Sequence, residues 1–384
     1  MDTRAEKLAE LVCDYSIGLK EGDRLMLQYD PVFTDYANLF VNEAKKIGAS
    51  VVRDDLSYDP VHLRSLILRA KDSEIEAELS RRKEISAWCN TRVLIDCDSN
   101  PNYARDVLNG EERVAELIDK RLVGPYKEVL YRKGNHHGYE VRWNIVGFPE
   151  AGGAKDAGMS LSVFEDFVYS ATIGTDWKKM SEDMGRLHPY FDGAKDVHIF
   201  VPGLTDLHLS LEGRGTEICG GWFNMPDGEF FYGPVENSAN GEITYQVPSS
   251  REGYGVFKGI HLKFENGKVV GFDAKENKEG LEATLNIDEG ARRIGELGIG
   301  CNYGIKKPIL QTLFDEKIGG TIHTALGNSF RTQPLSEGGG LNQSQIHWDI
   351  VCDLRRDERN LQDFPGGWIK VDGTTVQENG EWKI

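Results

Sequence analysis

The stretch Arg24-Leu25-Met26-Leu27-Gln28-Tyr29 decides how the first half of the chain is read. It follows a Gly22-Asp23 turn signal and is a short, mostly apolar run, so it is expected to be a strand. A helical pattern follows from Tyr36 to Lys46, with Gly48 placed to take the left-handed conformation that closes a helix. Ser50 to Asp55 then reads as the next strand. Strand, helix and strand in tandem indicate crossover units, in which the helix returns the chain so that successive strands run parallel. Working outward, Ala5, Leu8, Leu11 and Val12 recur at helical spacing before the first strand, and Arg92 to Asp96 and Tyr139 to Val146 supply further strands after it. The expectation is an N-terminal α/β domain with a mostly parallel sheet. It lacks the GxGxxG turn that lets a backbone approach a pyrophosphate, so no nucleotide cofactor is assigned to it.

A polar amphipathic helix is expected from Asp176 to Asp192, ending near Gly193, and Val197-His198-Ile199-Phe200-Val201 opens a new strand. From Pro202 onward the texture changes to short strands and turns, punctuated by Gly213, Gly220-Gly221, Gly228, Gly241, Gly267 and Gly271. This places a boundary near residue 195, dividing an α/β domain at 1–195 from an α+β domain at 196–384. A chain of 384 residues is long enough for two cores, and 39% hydrophobic and 10% aromatic content marks it as folded. Its 45 basic and 62 acidic residues give a net charge of −17, which argues against nonspecific binding to nucleic acid or anionic lipid. The sequence has no run of 18 apolar residues to span a membrane. Met1-Asp2-Thr3-Arg4 leads into an amphipathic pattern without an apolar leader. The six cysteines, Cys13, Cys89, Cys97, Cys219, Cys301 and Cys352, form no CxxC pair, so a cytoplasmic protein with reduced thiols is expected.

Five potential metal ligands lie in the second half: Glu229, Glu296, His323, His347 and Asp349. His347-Trp348-Asp349 precedes Ile350-Val351-Cys352, so it is expected on a strand, where alternation puts His347 and Asp349 on one face and Trp348 on the other. His323 sits in Thr321-Ile322-His323-Thr324-Ala325 after two glycines, which are placed to end a helix through Ile309 to Lys317. Glu229 follows the turn sequence Asn224-Met225-Pro226-Asp227-Gly228 and leads into Phe230-Phe231-Tyr232. Asp288 is a good N-cap for a helix over Glu289 to Ile294, after which Glu296 would open the strand Leu297 to Cys301. Each residue alone also reads as an ordinary hydrogen-bonded histidine or solvated carboxylate. As a set, imidazole mixed with hard oxygen donors suits zinc, cobalt or manganese, and the excess of carboxylates suits a bridged metal pair.

The same segments carry a family resemblance. Pro202-Gly-Leu-Thr-Asp206, Asn224-Met-Pro-Asp-Gly-Glu229, Pro234-Val-Glu-Asn-Ser-Ala-Asn-Gly241, Asp288-Glu-Gly-Ala-Arg-Arg-Ile-Gly-Glu296, His323-Thr-Ala-Leu-Gly327 and Asn342-Gln-Ser-Gln-Ile-His-Trp-Asp349 resemble the family of aminopeptidase T, aminopeptidase S and PepS. The resemblance is strong over residues 197–355 and fainter through the first half, in Leu8 to Tyr29 and Asp156 to Ser160. It implies a cytoplasmic, homodimeric exopeptidase that removes N-terminal residues from short peptides using two divalent ions. Its implied ligands are Glu229, Glu296, His323, His347 and Asp349. Glu236 is a candidate to bind the substrate amine, or a structural partner of the Asn240-Gly241 turn. The first domain is then expected to wall the cleft and support the dimer.

One position departs from the family pattern. A tyrosine is common seven residues after the first histidine, whereas this chain has Phe330, which neither donates a hydrogen bond nor transfers a proton. Arg331 is a candidate replacement donor. Two alternatives to a dinuclear aminopeptidase follow. One is a mononuclear iron ring-cleaving dioxygenase of the dihydroxypyridine type, using a set such as His323, His347 and Asp349. The other is a weakly active metal-binding relative.

Overall fold

The computed structural model describes residues 2–96, 121–122, 126, 129–137, 139–251, 254–330, 333–356 and 365–384. Cys97 and Arg331 lie outside the described residues. The chain divides into two compact units, one of Met1–Gly174, Gly221–Pro226 and Arg251–Gly255, the other of Thr175–Gly220, Asp227–Ser250 and Val256–Ile384.

In the first unit, Arg24–Gln28 is a strand, and the helix Thr34–Ile47 ends at Gly48, which takes φ 90°. That helix buries Ala37, Phe40 and Ala44, three residues on one stripe. Its return to the sheet makes the next strand, Ser50–Asp54, parallel to the first. The sheet runs in the order Ser50–Asp54, Arg24–Gln28, Thr91–Ile95, Arg142–Val146, Asn224–Met225, and every neighbouring pair is parallel. Leu25, Leu27, Val93, Ile95 and Val146 are fully buried in it, each contributing about 1.5–3 kcal/mol from removal of apolar surface from water. Three polar side chains buried in the same sheet are linked across strands: Arg92 Nε donates to Gln28 Oε1 at 2.6 Å, and Gln28 Nε2 to Asp54 Oδ2 at 2.8 Å.

The second unit begins with the helix Trp177–Leu187, capped by Asp176, whose carboxylate accepts the Lys179 N–H at 3.0 Å. The sequence reading set this helix before its boundary at residue 195. Two antiparallel sheets follow. The larger has eight strands in the order Lys268–Asp273, Ile260–Glu265, Asn240–Tyr245, Thr205–Leu209, Val197–Val201, Trp368–Val371, Thr374–Glu378, Glu381–Trp382. The smaller has five, in the order His347–Asp353, Thr321–Gly327, Ile294–Gly300, Glu229–Tyr232, Glu217–Cys219. The two sheets meet through Tyr245 Oη and Thr324 Oγ1, 2.6 Å apart. Ile294–Gly300 and Thr321–Gly327 are buried at every position, so the small sheet is covered on both faces.

Three local expectations are revised. The helix expected through Ile309–Lys317 is one turn, Thr312–Asp315. The Asp315 carboxylate accepts the N–H groups of Ile309 and Leu310, and Leu310 takes φ 63°, so the chain turns there instead of continuing a helix. The helix expected after Asp288 is a short 3₁₀ turn, Gly290–Arg292, although Asp288 does accept the Ala291 N–H. The following strand therefore starts at Ile294, and Glu296 lies inside it rather than at its mouth.

Candidate metal centre

Strand register brings the five candidate ligands to one face of the five-stranded sheet. In antiparallel pairing, directly opposed residues point to the same side. Glu229 is opposite Gly300, Gly298 opposite His323, Glu296 opposite Ala325, Asp349 opposite Ala325, and His347 opposite Gly327. With alternation along each strand, all five side chains share one face, while Leu297, Thr324 and Trp348 take the other. The residues between the ligands are small for a reason. A Cβ on Gly298 would fall on the His323 imidazole, 2.7 Å from Nδ1 and nearer still to Cε1 and Nε2.

The side chains form two groups of three with donor atoms close enough to share an ion: Glu229, Glu296 and His323, and Glu296, His347 and Asp349. Glu296 belongs to both. Its Oε1 is 3.1 Å from His323 Nε2 and its Oε2 is 3.4 Å from His347 Nε2. Glu229 Oε2 lies 3.3 Å from His323 Nε2, and Asp349 Oδ2 3.4 Å from His347 Nε2. Both imidazoles are oriented from behind. His323 Nδ1 donates to the Glu316 carbonyl at 3.1 Å and His347 Nδ1 to the Asn328 carbonyl at 2.7 Å, which leaves each Nε2 facing the carboxylates. Two buried acceptors in the cluster, Glu229 Oε2 and Asp349 Oδ1, make no hydrogen bond among the described residues. Buried oxygens are rarely left so, and a divalent cation in each of the two groups would satisfy one of them. His347 is the most exposed of the five, with 30% of its side chain accessible.

Without a cation, protons take its place. Burial opposes a charge on His323, but Glu229, the hydrogen bond to Glu296 and Asp349 lift it to about 10. His347 is raised well above the usual histidine range in the same way, against burial, chiefly by Asp349. Burial also opposes ionisation of Asp349, yet His347 and then His323 hold it well below the usual carboxylate range. Glu296 is lowered despite its burial by hydrogen bonds to both histidines. Burial raises Glu229, with Lys317 and His323 in opposition.

Sequence reading missed the layer behind these residues. Lys317, almost fully buried, donates to Glu229 Oε1, lies 2.7 Å from Glu316 Oε1 and 3.9 Å from Asp227 Oδ1. It is the cation that balances the buried carboxylates, which raise its pKa well above the usual lysine value against the effect of burial. Glu316, pushed up to about 8 by burial with Lys317 opposing, forms a further group with His323 and Asp349. The only sequence signal was a charged Glu316-Lys317 pair beside the glycines that precede an apolar strand.

Phe330 stands where the missing hydroxyl was expected to matter. Its ring is 5.1 Å from that of His347 and 5.0 Å from that of Phe231. Glu236 stands apart from the two groups: both its oxygens are bonded by Arg214 Nη2, at 2.9 and 3.2 Å, and Oε1 also accepts the Leu341 N–H at 2.7 Å.

A family model described as thermophilic metalloprotease (M29) matches residues 1–382. Aminopeptidase PepS of Streptococcus thermophilus is 25% identical over 99% of this chain and 98% of its own. Aminopeptidase T of Thermus aquaticus is 32% identical over 98% of each. The structure of wild-type AmpT from Thermus thermophilus covers 100% of this chain and 99% of its own, with a TM-score of 0.77 and 22% identity, and shows the same fold of a parallel sheet with added antiparallel sheets. The 2,5-dihydroxypyridine dioxygenase of Pseudomonas putida is more distant, with a TM-score of 0.57 and 14% identity over 98% of this chain and 96% of that one. Its likeness is one of fold alone. The family model spans nearly the whole chain and the relatives are aminopeptidases over their full lengths, so this chain belongs to the thermophilic metalloprotease family (M29), whose members are metal-dependent hydrolases.

Proposed function

We propose that the protein is a dinuclear metallo-aminopeptidase acting on short peptides with a free N-terminus. The observation that carries this reading is Glu296, whose two oxygens face two histidines belonging to two separate donor groups. One ion would be held by Glu229, Glu296 and His323, the other by Glu296, His347 and Asp349. Zinc, cobalt and manganese suit these donors. Such a pair supplies a water of lowered pKa and polarises the scissile carbonyl.

The chain's own residues set the geometry. The carbonyls of Glu316 and Asn328 hold each histidine with Nε2 forward, so neither ring must reorient during turnover. Lys317 occupies Glu229 Oε1 and leaves Oε2 as the oxygen that would hold an ion. Phe330 forms an apolar wall against His347 and donates nothing. Glu236 has its carboxylate engaged by Arg214 and the Leu341 N–H rather than by the Asn240-Gly241 turn, which favours a structural role, with partners other than those expected, over amine binding. Five described cysteines are free and buried, in keeping with a reducing cytoplasmic setting. The homodimer implied by the family resemblance is part of the same reading.

Elemental analysis of protein grown without added metal, beside assays on aminoacyl-nitroanilides, tests the proposal. Two divalent ions per chain and hydrolysis are expected, with both lost in Glu296→Gln while the melting transition persists. One iron and no hydrolysis would replace this reading with the ring-cleaving one.

A further inference from the structure

We propose that His198, His208 and Asp206 form a third divalent-cation site on the solvent-facing side of the eight-stranded sheet, independent of the centre above. The hairpin of Val197–Val201 and Thr205–Leu209 is the frame. Its antiparallel register sets His198 opposite His208 and Phe200 opposite Asp206, so all four side chains share one face. The burial pattern of both strands alternates, with these residues on the less buried side.

The imidazoles stack, with ring centroids 3.7 Å apart and planes 25° from parallel. Asp206 Oδ1 lies between their reach, 2.7 Å from His198 Nε2 and 3.8 Å from His208 Nε2. The donor atoms of the three residues all lie within 4.8 Å of one another. In a tetrahedral site with bonds of 2.0–2.2 Å, donors sit about 3.4 Å apart and each lone pair lies in its ring plane, so closure takes rotation of one imidazole out of the stack, which the half-exposed His208 has room to make.

A second observation separates this cluster from an ordinary surface ion pair. His208 Nδ1 bonds Asp196 Oδ1 at 2.8 Å, and the Asp196 backbone N–H is held by Asp372 Oδ1 at 2.9 Å. A carboxylate behind the ring fixes the tautomer that leaves Nε2 as the donor, the arrangement that supports metal-ligating histidines. Glu242 lies opposite Asp206 on the next strand and adds negative charge to the same face. Lys370, opposite His198 on the other side, has its Nζ 4.3 Å from the centre of the Trp368 ring. Two imidazoles and one carboxylate select zinc, cobalt, nickel or copper(II) over magnesium or calcium. The ion would tie the two strands of the hairpin together and leave a coordination position for water.

The test compares wild type, His208→Ala and Asp196→Asn after equilibrium dialysis against zinc, by elemental analysis and by titration calorimetry. His208→Ala is expected to hold one zinc fewer than wild type, with unchanged aminopeptidase activity and an unchanged melting temperature in chelator. Asp196→Asn is expected to keep the site but bind zinc about 10-fold more weakly. Equal zinc counts in wild type and His208→Ala would overturn the proposal, and so would loss of hydrolysis in His208→Ala, since the site would not then be separate. Because the readout is a difference between proteins with the Glu296 centre intact, it stands whatever that centre is found to hold.

Discussion

Gly298→Ala is the most discriminating perturbation of the candidate centre, because it adds one methyl group and removes no ligand. The added Cβ would lie 2.7 Å from His323 Nδ1 and closer to Cε1 and Nε2. Carbon contacts relax at about 3.5–4.0 Å, so the ring must retreat by more than about 1 Å. It has little room: His323 is fully buried, and its Nδ1 is held by the Glu316 carbonyl. Overpacking of this kind costs about 1–3 kcal/mol of stability. The functional effect should be larger, since a displacement of about 1 Å breaks a bond of 2.0–2.1 Å to an ion and misplacements of that size cost on the order of 10²-fold in rate. The assay is kcat/KM on an aminoacyl-nitroanilide together with metal content and thermal melting. Gly185→Ala is the control. It lies in the Trp177–Leu187 helix with nothing within 4 Å of the new Cβ, and should leave activity alone while adding about 0.5–1 kcal/mol of stability. A Gly298→Ala enzyme with the full metal complement and wild-type kcat/KM would refute the placement of His323 against that glycine, and with it the ligand geometry.

Phe330→Tyr puts a hydroxyl on a ring 5.1 Å from His347, and if hydrolysis lacks one oxyanion donor, kcat should rise by about 10²-fold; an unchanged or lower rate counts against that reasoning. The metal-free protein should melt at lower temperature at pH 9 than at pH 6. His323 has a folded pKa of about 10, above its unfolded value, so its stabilisation is complete below about 6.5 and lost as pH rises toward 10. Glu316, raised to about 8, adds to the loss in the lower part of this range: its unfolded form ionises from about 4.5 while the folded form holds its proton, so stability falls as pH rises to about 8 and then levels. Asp349 and Glu296, both lowered, stabilise throughout this window and lose that effect only in acid. A melting temperature that rises from pH 6 to 9 in chelator, or that added zinc does not raise at pH 9, would contradict this electrostatic picture. Glu236→Gln should cost about 1–3 kcal/mol by weakening the partner of the nearly buried Arg214, with KM unchanged; a large rise in KM at wild-type stability would return Glu236 to amine binding.

The sequence by itself determined the elements whose patterns are local. The strand at Arg24, the helix closed by Gly48 and the next strand at Ser50 are written in apolar spacing and one left-handed glycine, and crossover geometry then makes the sheet parallel. Alternation alone put His347 and Asp349 on one side of their strand. The five candidate ligands were singled out from other carboxylates and histidines by the family resemblance, and the fold groups their side chains. Helix limits near Asp315 and Asp288 were misjudged, because side-chain bonds to nearby backbone N–H groups end those turns and propensity does not register them.

Only the tertiary structure decided how the ligands meet. The register of four strands sets Glu296 between two histidines, and register depends on pairings between segments far apart in sequence. The same holds for Lys317, whose burial among Glu229, Glu316 and Asp227 has no signature in its own neighbourhood. A lone lysine in sequence is a surface residue by default. It becomes the counter-charge of a buried centre only when distant strands close around it and exclude the water that would otherwise solvate the carboxylates.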